Sequence, residues 1–120
     1  MSIIVKMLGS SSNSVHIKIS VGGAVQWRYQ YNDRGTAYQG KYDDSTPHEH
    51  AIGMTGELNM QDDDWTFWFI NITDKVVHTK ATIIWVQGND TVGQWDSPDI
   101  SIDPNSGQTA LDDALLVLNQ

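Results

Sequence analysis

Apolar residues at every second position dominate the first three quarters of this chain, and that period leaves few folds open. Val15, Ile17, Ile19 and Val21 alternate with His16, Lys18 and Ser20, as in a strand with one buried face. After Gly22-Gly23, Val25, Trp27, Tyr29 and Tyr31 alternate with Gln26, Arg28 and Gln30. Paired glycines between two such runs can adopt the positive φ of a primed turn, so a β-hairpin is expected here. A strand over residues 2–8 precedes it, set off by the polar turn Gly9-Ser10-Ser11-Ser12-Asn13.

From Asn32 to Glu49 the pattern dissolves into Gly, Asp, Tyr, Ser and Pro, which reads as a surface loop with a short strand near Tyr38–Tyr42. Ile52, Met54, Leu58 and Met60 resume the alternation, and Asp62-Asp63-Asp64 makes an acidic turn. The run Trp65-Thr66-Phe67-Trp68-Phe69-Ile70-Asn71-Ile72 is apolar on both faces and reads as a central strand. Thr73-Asp74-Lys75 leads into a long β-branched strand from Val76 to Gln87, which Gly88-Asn89-Asp90 ends. A loop with Trp95, Asp96 and Pro98 and a short strand over Asp99–Asp103 follow. At the C-terminus, Leu111, Ala114, Leu115 and Leu118 have helical spacing, while the run from Ala114 to Leu118 suits a buried final strand, the reading preferred here. The whole pattern predicts an all-β fold: an antiparallel β-sandwich of about eight to nine strands.

The chain has 120 residues, which matches one domain and one core. Seven Lys+Arg against fifteen Asp+Glu leave a formal charge of −8, which argues against nucleic acid or an anionic membrane as an electrostatic partner. Without cysteine there is no disulfide, thiolate catalysis or cysteine-held zinc. The N-terminal apolar run is too short and interrupted for a signal peptide, so the chain is expected in the cytoplasm as synthesised, or released by a non-classical route. Asn71-Ile72-Thr73 and Asn89-Asp90-Thr91 match the glycosylation sequon and carry little weight in that compartment.

Candidate sites are few. Trp95 stands in a turn-like segment between Gln94 and Asp96, a combination in which a ring stacks on a sugar while amide and carboxylate bond its hydroxyls. Capping the end of the sandwich is the equal alternative for Trp95. Tyr38 and Tyr42, with Tyr29 and Tyr31, offer a second aromatic surface. In an extended segment His48 and His50 point the same way and suit zinc or copper, with Asp43 or Asp44 as a third ligand, although histidines in a polar loop are commonly just solvated. Asp62-Asp63-Asp64 reads as a solvated turn. Asp103, with Asp112 and Asp113, is the better oxygen-rich set for calcium. Catalysis is not expected: no serine stands in a nucleophile elbow, and no carboxylate pair can be chosen from spacing.

The opening segment, Ile4 to Ser11 running into Val15 to Val21, and the closing Asp112-Asp113-Ala114-Leu115-Leu116-Val117-Leu118-Asn119 resemble the small calcium-dependent sugar-binding lectins of bacteria. That resemblance implies a dimeric nine-stranded sandwich holding a sugar through calcium, with Asp112 and Asp113 as the ligands that carry over. The chain departs from the family at Gln108 and Ala110, where further acids are expected, at Gly9, and at its Asn119-Gln120 end. A fainter resemblance, in the opening strand-turn-strand and the acidic, Trp-rich composition, is to the aegerolysin-type proteins and implies binding to membrane lipids as a toxin component. The expected function is therefore a non-enzymatic binding module for glycans, with a lipid-binding protein or a self-assembling structural protein as the alternatives. A homo-oligomer is expected in each case.

Overall fold

The computed structural model describes residues 3–7, 14–23, 25–33, 36–43, 45–54, 63–112 and 115–119, with side chains for 14–23, 25–32, 36–43, 45–52 and 63–107. The strands are β1 (Ile3–Met7), β2 (Ser14–Gly22), β3 (Gln26–Asp33), β4 (Thr36–Tyr42), β5 (His48–Met54), β6 (Asp64–Asn71), β7 (Val77–Gln87), β8 (Asp90–Asp96), β9 (Ile100–Ile102), β10 (Ser106–Asp112) and β11 (Leu115–Asn119). Sheet I has the order β10-β6-β3-β4, and sheet II the order β5-β2-β7-β8 with β9 also on β7. Both are antiparallel, and they pack face to face as the expected β-sandwich.

Alternation builds the core. Val15, Ile17, Ile19 and Val21 point inward from β2, each at most 1 % exposed, and Ala81, Ile83 and Trp85 point inward from β7. Opposite them stand Trp27, Tyr29 and Tyr31 of β3 and Trp65, Phe67 and Phe69 of β6. Rings fill the space between the sheets: Trp65 meets Trp85 edge-on at 5.6 Å and stacks on Tyr31 at 5.8 Å. A polar chain crosses with them. Trp85 Nε1 donates to Tyr31 Oη at 3.1 Å, and Tyr31 donates to Asp63 Oδ2 at 2.6 Å. Asp63 is therefore buried rather than the solvated turn residue expected, because the Tyr31 hydroxyl supplies the donor that burial demands. Asp62 lies outside the described residues.

The expected hairpin at Gly22-Gly23 does not form. β2 pairs with β5 and β7, β3 pairs with β4 and β6, and the glycines carry the chain from one sheet to the other. Gly23 has φ +99°, and a Cβ there would stand 2.6 Å from the His78 carbonyl oxygen. Only glycine permits both that backbone and that close passage. The Asn32–Glu49 loop is likewise mostly strand: β3 continues to Asp33, β4 returns beside it, and β5 begins at His48. β4 is an edge strand with four of its seven residues exposed, and glycine holds the middle of its inward positions Tyr38, Gly40 and Tyr42, so its sequence shows little apolar alternation. The opening strands do not pair either. β1 pairs in parallel with β11, Ile3 opposite Leu115, which confirms the strand reading of the C-terminus and adds a parallel pair to a fold expected to be antiparallel.

Asn71 closes the end of β6. It is fully buried; its Nδ2 donates to the carbonyls of Lys75 (2.7 Å) and Ile102 (3.0 Å), and its Oδ1 accepts from Thr73 N (2.9 Å) and Thr73 Oγ1 (2.7 Å). The first sequon asparagine is thus a structural clamp between β6, the following turn and β9. Asn71→Ala removes this set of partly buried hydrogen bonds and is expected to lower stability by about 2 kcal/mol. Urea unfolding checks this, and an unchanged midpoint counts against the clamp.

Candidate functional site

Strand alternation decides which of the expected site residues meet. Trp95 occupies β8, not a loop, and its ring points into the core, 3 % exposed, against Trp65 at 5.4 Å and Phe67 at 5.8 Å. Gln94 and Asp96, its chain neighbours, point to the opposite face, since successive residues of a strand face opposite sides. There both oxygens of Asp96 accept internal hydrogen bonds, from Thr82 Oγ1 at 2.8 Å and Gln94 Nε2 at 3.0 Å. The trio therefore cannot surround one sugar, and Trp95 is part of the core between the sheets rather than a ring on a loop.

Of the oxygen-rich set, Asp103 and Asp112 do not come together. Asp103 precedes β10 and Asp112 ends it, so about 20 Å of extended strand separates them. Asp113 lies outside the described residues.

His48 and His50 do share a face of β5, but it is the interior face of an open sandwich edge. Tyr42 stacks on His48 with ring centroids 3.3 Å apart, and Tyr38 packs on His50 at 5.1 Å. His50 Nε2 is hydrogen-bonded to the Tyr29 hydroxyl. Burial, and secondarily Tyr42, push the Tyr29 phenol far above its ordinary value, so it remains a donor. Burial, and secondarily His48, lower the His50 pKa, so a neutral imidazole accepts. Among the described residues no group of three or more His, Cys, Asp or Glu gathers to hold a metal; Asp44 lies outside them.

That lowered value has a consequence for stability. The unfolded histidine titrates near about 6.5, above the folded one, so the unfolded state takes up the proton first as pH falls. The contribution of His50 is present above about pH 6.5 and is lost on acidification through its folded pKa. Thermal melts from about pH 7.5 to about pH 5 are expected to show falling stability, with a shallower fall in His50→Gln. Equal slopes in the two proteins contradict this account.

The residues that do converge lie on the outer face of sheet I. In β6, Trp65, Phe67 and Phe69 turn inward, which leaves Thr66, Trp68 and Ile70 outward. β3 presents Gln26, Arg28 and Gln30 outward by the same rule, and its register puts Arg28 directly opposite Trp68. The Arg28 guanidinium sits over the Trp68 ring, 4.3 Å from its centroid, an attractive arrangement that fixes both side chains. Lys41 of β4 stands opposite Arg28 on the other side. Together with Gln26, Tyr42, Asp43 and Ile70 these residues line a cleft of about 680 Å³. Further along the same face, Gln30 Nε2 donates to Asn32 Oδ1 at 2.9 Å, and Asn32 Nδ2 donates to Asp64 Oδ1 at 2.5 Å. Tyr42, expected on an aromatic surface, borders this cleft, but its ring packs on Trp27 and His48 on the inner face; Tyr38 does not line the cleft. The outer face of sheet II holds a smaller hollow of about 300 Å³ around Ser14, His16, Lys18 and Glu49, with no aromatic lining among the described residues.

Sequence reasoning passed over Trp68 because its strand looked buried on both faces. The signal was its parity: Trp68 is out of phase with Trp65, Phe67 and Phe69. The chain matches no protein-family model, and comparisons with curated proteins and with solved structures found no match.

Proposed function

We propose that the protein is a non-catalytic carbohydrate-binding module whose site is the outer face of sheet I around Trp68. One observation carries this reading: a partly exposed indole, held by Arg28, forms part of an open cleft with amide, carboxylate and cationic side chains about it. The part of the indole that Arg28 leaves uncovered offers the apolar C–H face of a pyranose a flat partner. Gln26 both donates and accepts, Asp43 accepts, and Arg28 and Lys41 donate, which is the inventory that sugar hydroxyls require. Pocket polarity of this kind orients a ligand without supplying a reaction. A glycan array with the labelled protein and its Trp68→Ala variant tests the reading. Binding by the parent that the variant loses supports it; no binding by the parent, or equal binding by both, overturns it.

A second reading, recognition of membrane lipid, draws on Ile70, Ile72 and Val76, which are 51 %, 61 % and 51 % exposed at the end of β6 and in the turn after it. Apolar side chains gathered at one end of a sandwich can enter a lipid interface, and the charge of −8 restricts them to neutral bilayers. Co-sedimentation with phosphatidylcholine vesicles, abolished in Ile72→Asp, supports this reading. Protein left wholly in the supernatant removes it.

A further inference from the structure

We infer that the sugar bound at this face is acidic, bearing an isolated carboxylate or sulfate that Arg28 and Lys41 receive; the inference rests on the carbohydrate reading above. The chain has only seven Lys+Arg against fifteen acids, yet two of the seven stand side by side here, opposite one another in the β3–β4 register. Both are exposed. Neither forms an ion pair among the described residues, where the recorded pair is His16 with Glu49. Among the described residues Asp43 is the acid in the cleft lining, so two cations stand there against one carboxylate on a negative protein.

The geometry narrows the chemistry further. Contact with the Trp68 ring holds the Arg28 guanidinium in place, so little side-chain freedom remains to be lost on binding. A planar guanidinium fork matches a carboxylate or sulfate with two parallel hydrogen bonds, and the ammonium of Lys41 adds a second charge. With the anion at Arg28, the rest of the same sugar lies against Ile70 and against the part of the Trp68 indole that Arg28 leaves uncovered. The overall charge of −8 repels a dense polyanion at long range. The expected ligand is therefore a glycan with sparse acidic residues rather than a continuous polyanionic strand.

Matched pairs separate the charge from the sugar. The probes are galactose oligomers that carry a single galacturonic acid against the same oligomers with that acid methyl-esterified, and singly sulfated against unsulfated galactose oligomers, titrated by calorimetry into the wild type, Arg28→Gln and Lys41→Gln. The acidic member of a pair should bind at least about tenfold more tightly, as a charge-assisted hydrogen bond requires. That preference should shrink as salt rises and should largely vanish in Arg28→Gln, with a smaller reduction in Lys41→Gln. Both positions are exposed, and circular dichroism melts verify that the variants fold. If neutral and acidic members bind alike, or if Arg28→Gln keeps the full preference, the inference is overturned while the carbohydrate site stands. If neither these probes nor a broad array of neutral and acidic glycans gives binding, the carbohydrate reading itself fails.

Discussion

Trp68→Ala is expected to weaken glycan binding by about 30-fold or more and to leave unfolding nearly unchanged. The first half follows from the place of the ring in the cleft beside Arg28, since removing a central aromatic anchor typically costs about 2 kcal/mol or more of binding energy. The second half follows from its parity: the ring faces out from sheet I, and the core loses nothing when it is removed. Surface substitutions of this kind usually stay within about 0.5 kcal/mol, although loss of the Arg28 contact adds a little. Titration of both proteins with one array hit, together with urea unfolding, separates the two effects. A variant that binds normally, or one that unfolds as readily as a core variant, contradicts the assignment.

Trp85→Ala is expected to do the reverse. Trp85 is fully buried on β7, its ring meets Trp65 and Tyr31, and its Nε1 donates to the Tyr31 hydroxyl that in turn donates to Asp63. Truncation opens a cavity between the sheets and removes a hydrogen bond that joins them. Large aromatic-to-alanine changes in cores cost about 3–5 kcal/mol, a major share of the roughly 5–15 kcal/mol that keeps a typical domain folded. Trp85→Phe keeps most of the packing and forfeits the N–H, so a loss of about 1–2 kcal/mol is expected. Denaturant unfolding followed by far-ultraviolet circular dichroism measures both. An alanine variant within about 1 kcal/mol of the parent shows that the aromatic layer does not hold the sheets together.

The alternation in the chain told which face of a strand is buried, and Val15 to Val21, Val25 to Tyr31 and Val77 to Gln87 turn out as that pattern requires. It did not tell which strand lies beside which. Gly22-Gly23 has the composition of a hairpin turn, but the aliphatic inner face of β2 and the aromatic inner face of β3 pack against each other across the sandwich instead of side by side. The β1–β11 pair joins opposite ends of the chain, a contact that no local pattern encodes.

The candidate site was hidden for the same reason. Trp95, Gln94 and Asp96 are adjacent in sequence, and adjacency in a strand separates side chains rather than gathering them. Arg28 and Trp68 are forty positions apart and meet only because β3 pairs with β6 in a register that sets one opposite the other. His48 and His50 were correctly seen to share a face, but only the folded edge shows that Tyr38 and Tyr42 cover that face.

The five tryptophans give the central claim a direct readout. In a nitrogen–proton correlation spectrum each indole N–H has its own resonance, and four of the rings, Trp27, Trp65, Trp85 and Trp95, are at most 3 % exposed. Titration with a bound glycan is expected to move the Trp68 indole signal, with the backbone amides of Arg28 and Lys41, and to leave those of Gln94 and Asp96 in place. Shifts that gather on β8, or at the C-terminal end near Asp112, while the Trp68 signal stays fixed would contradict a binding site on the outer face of sheet I.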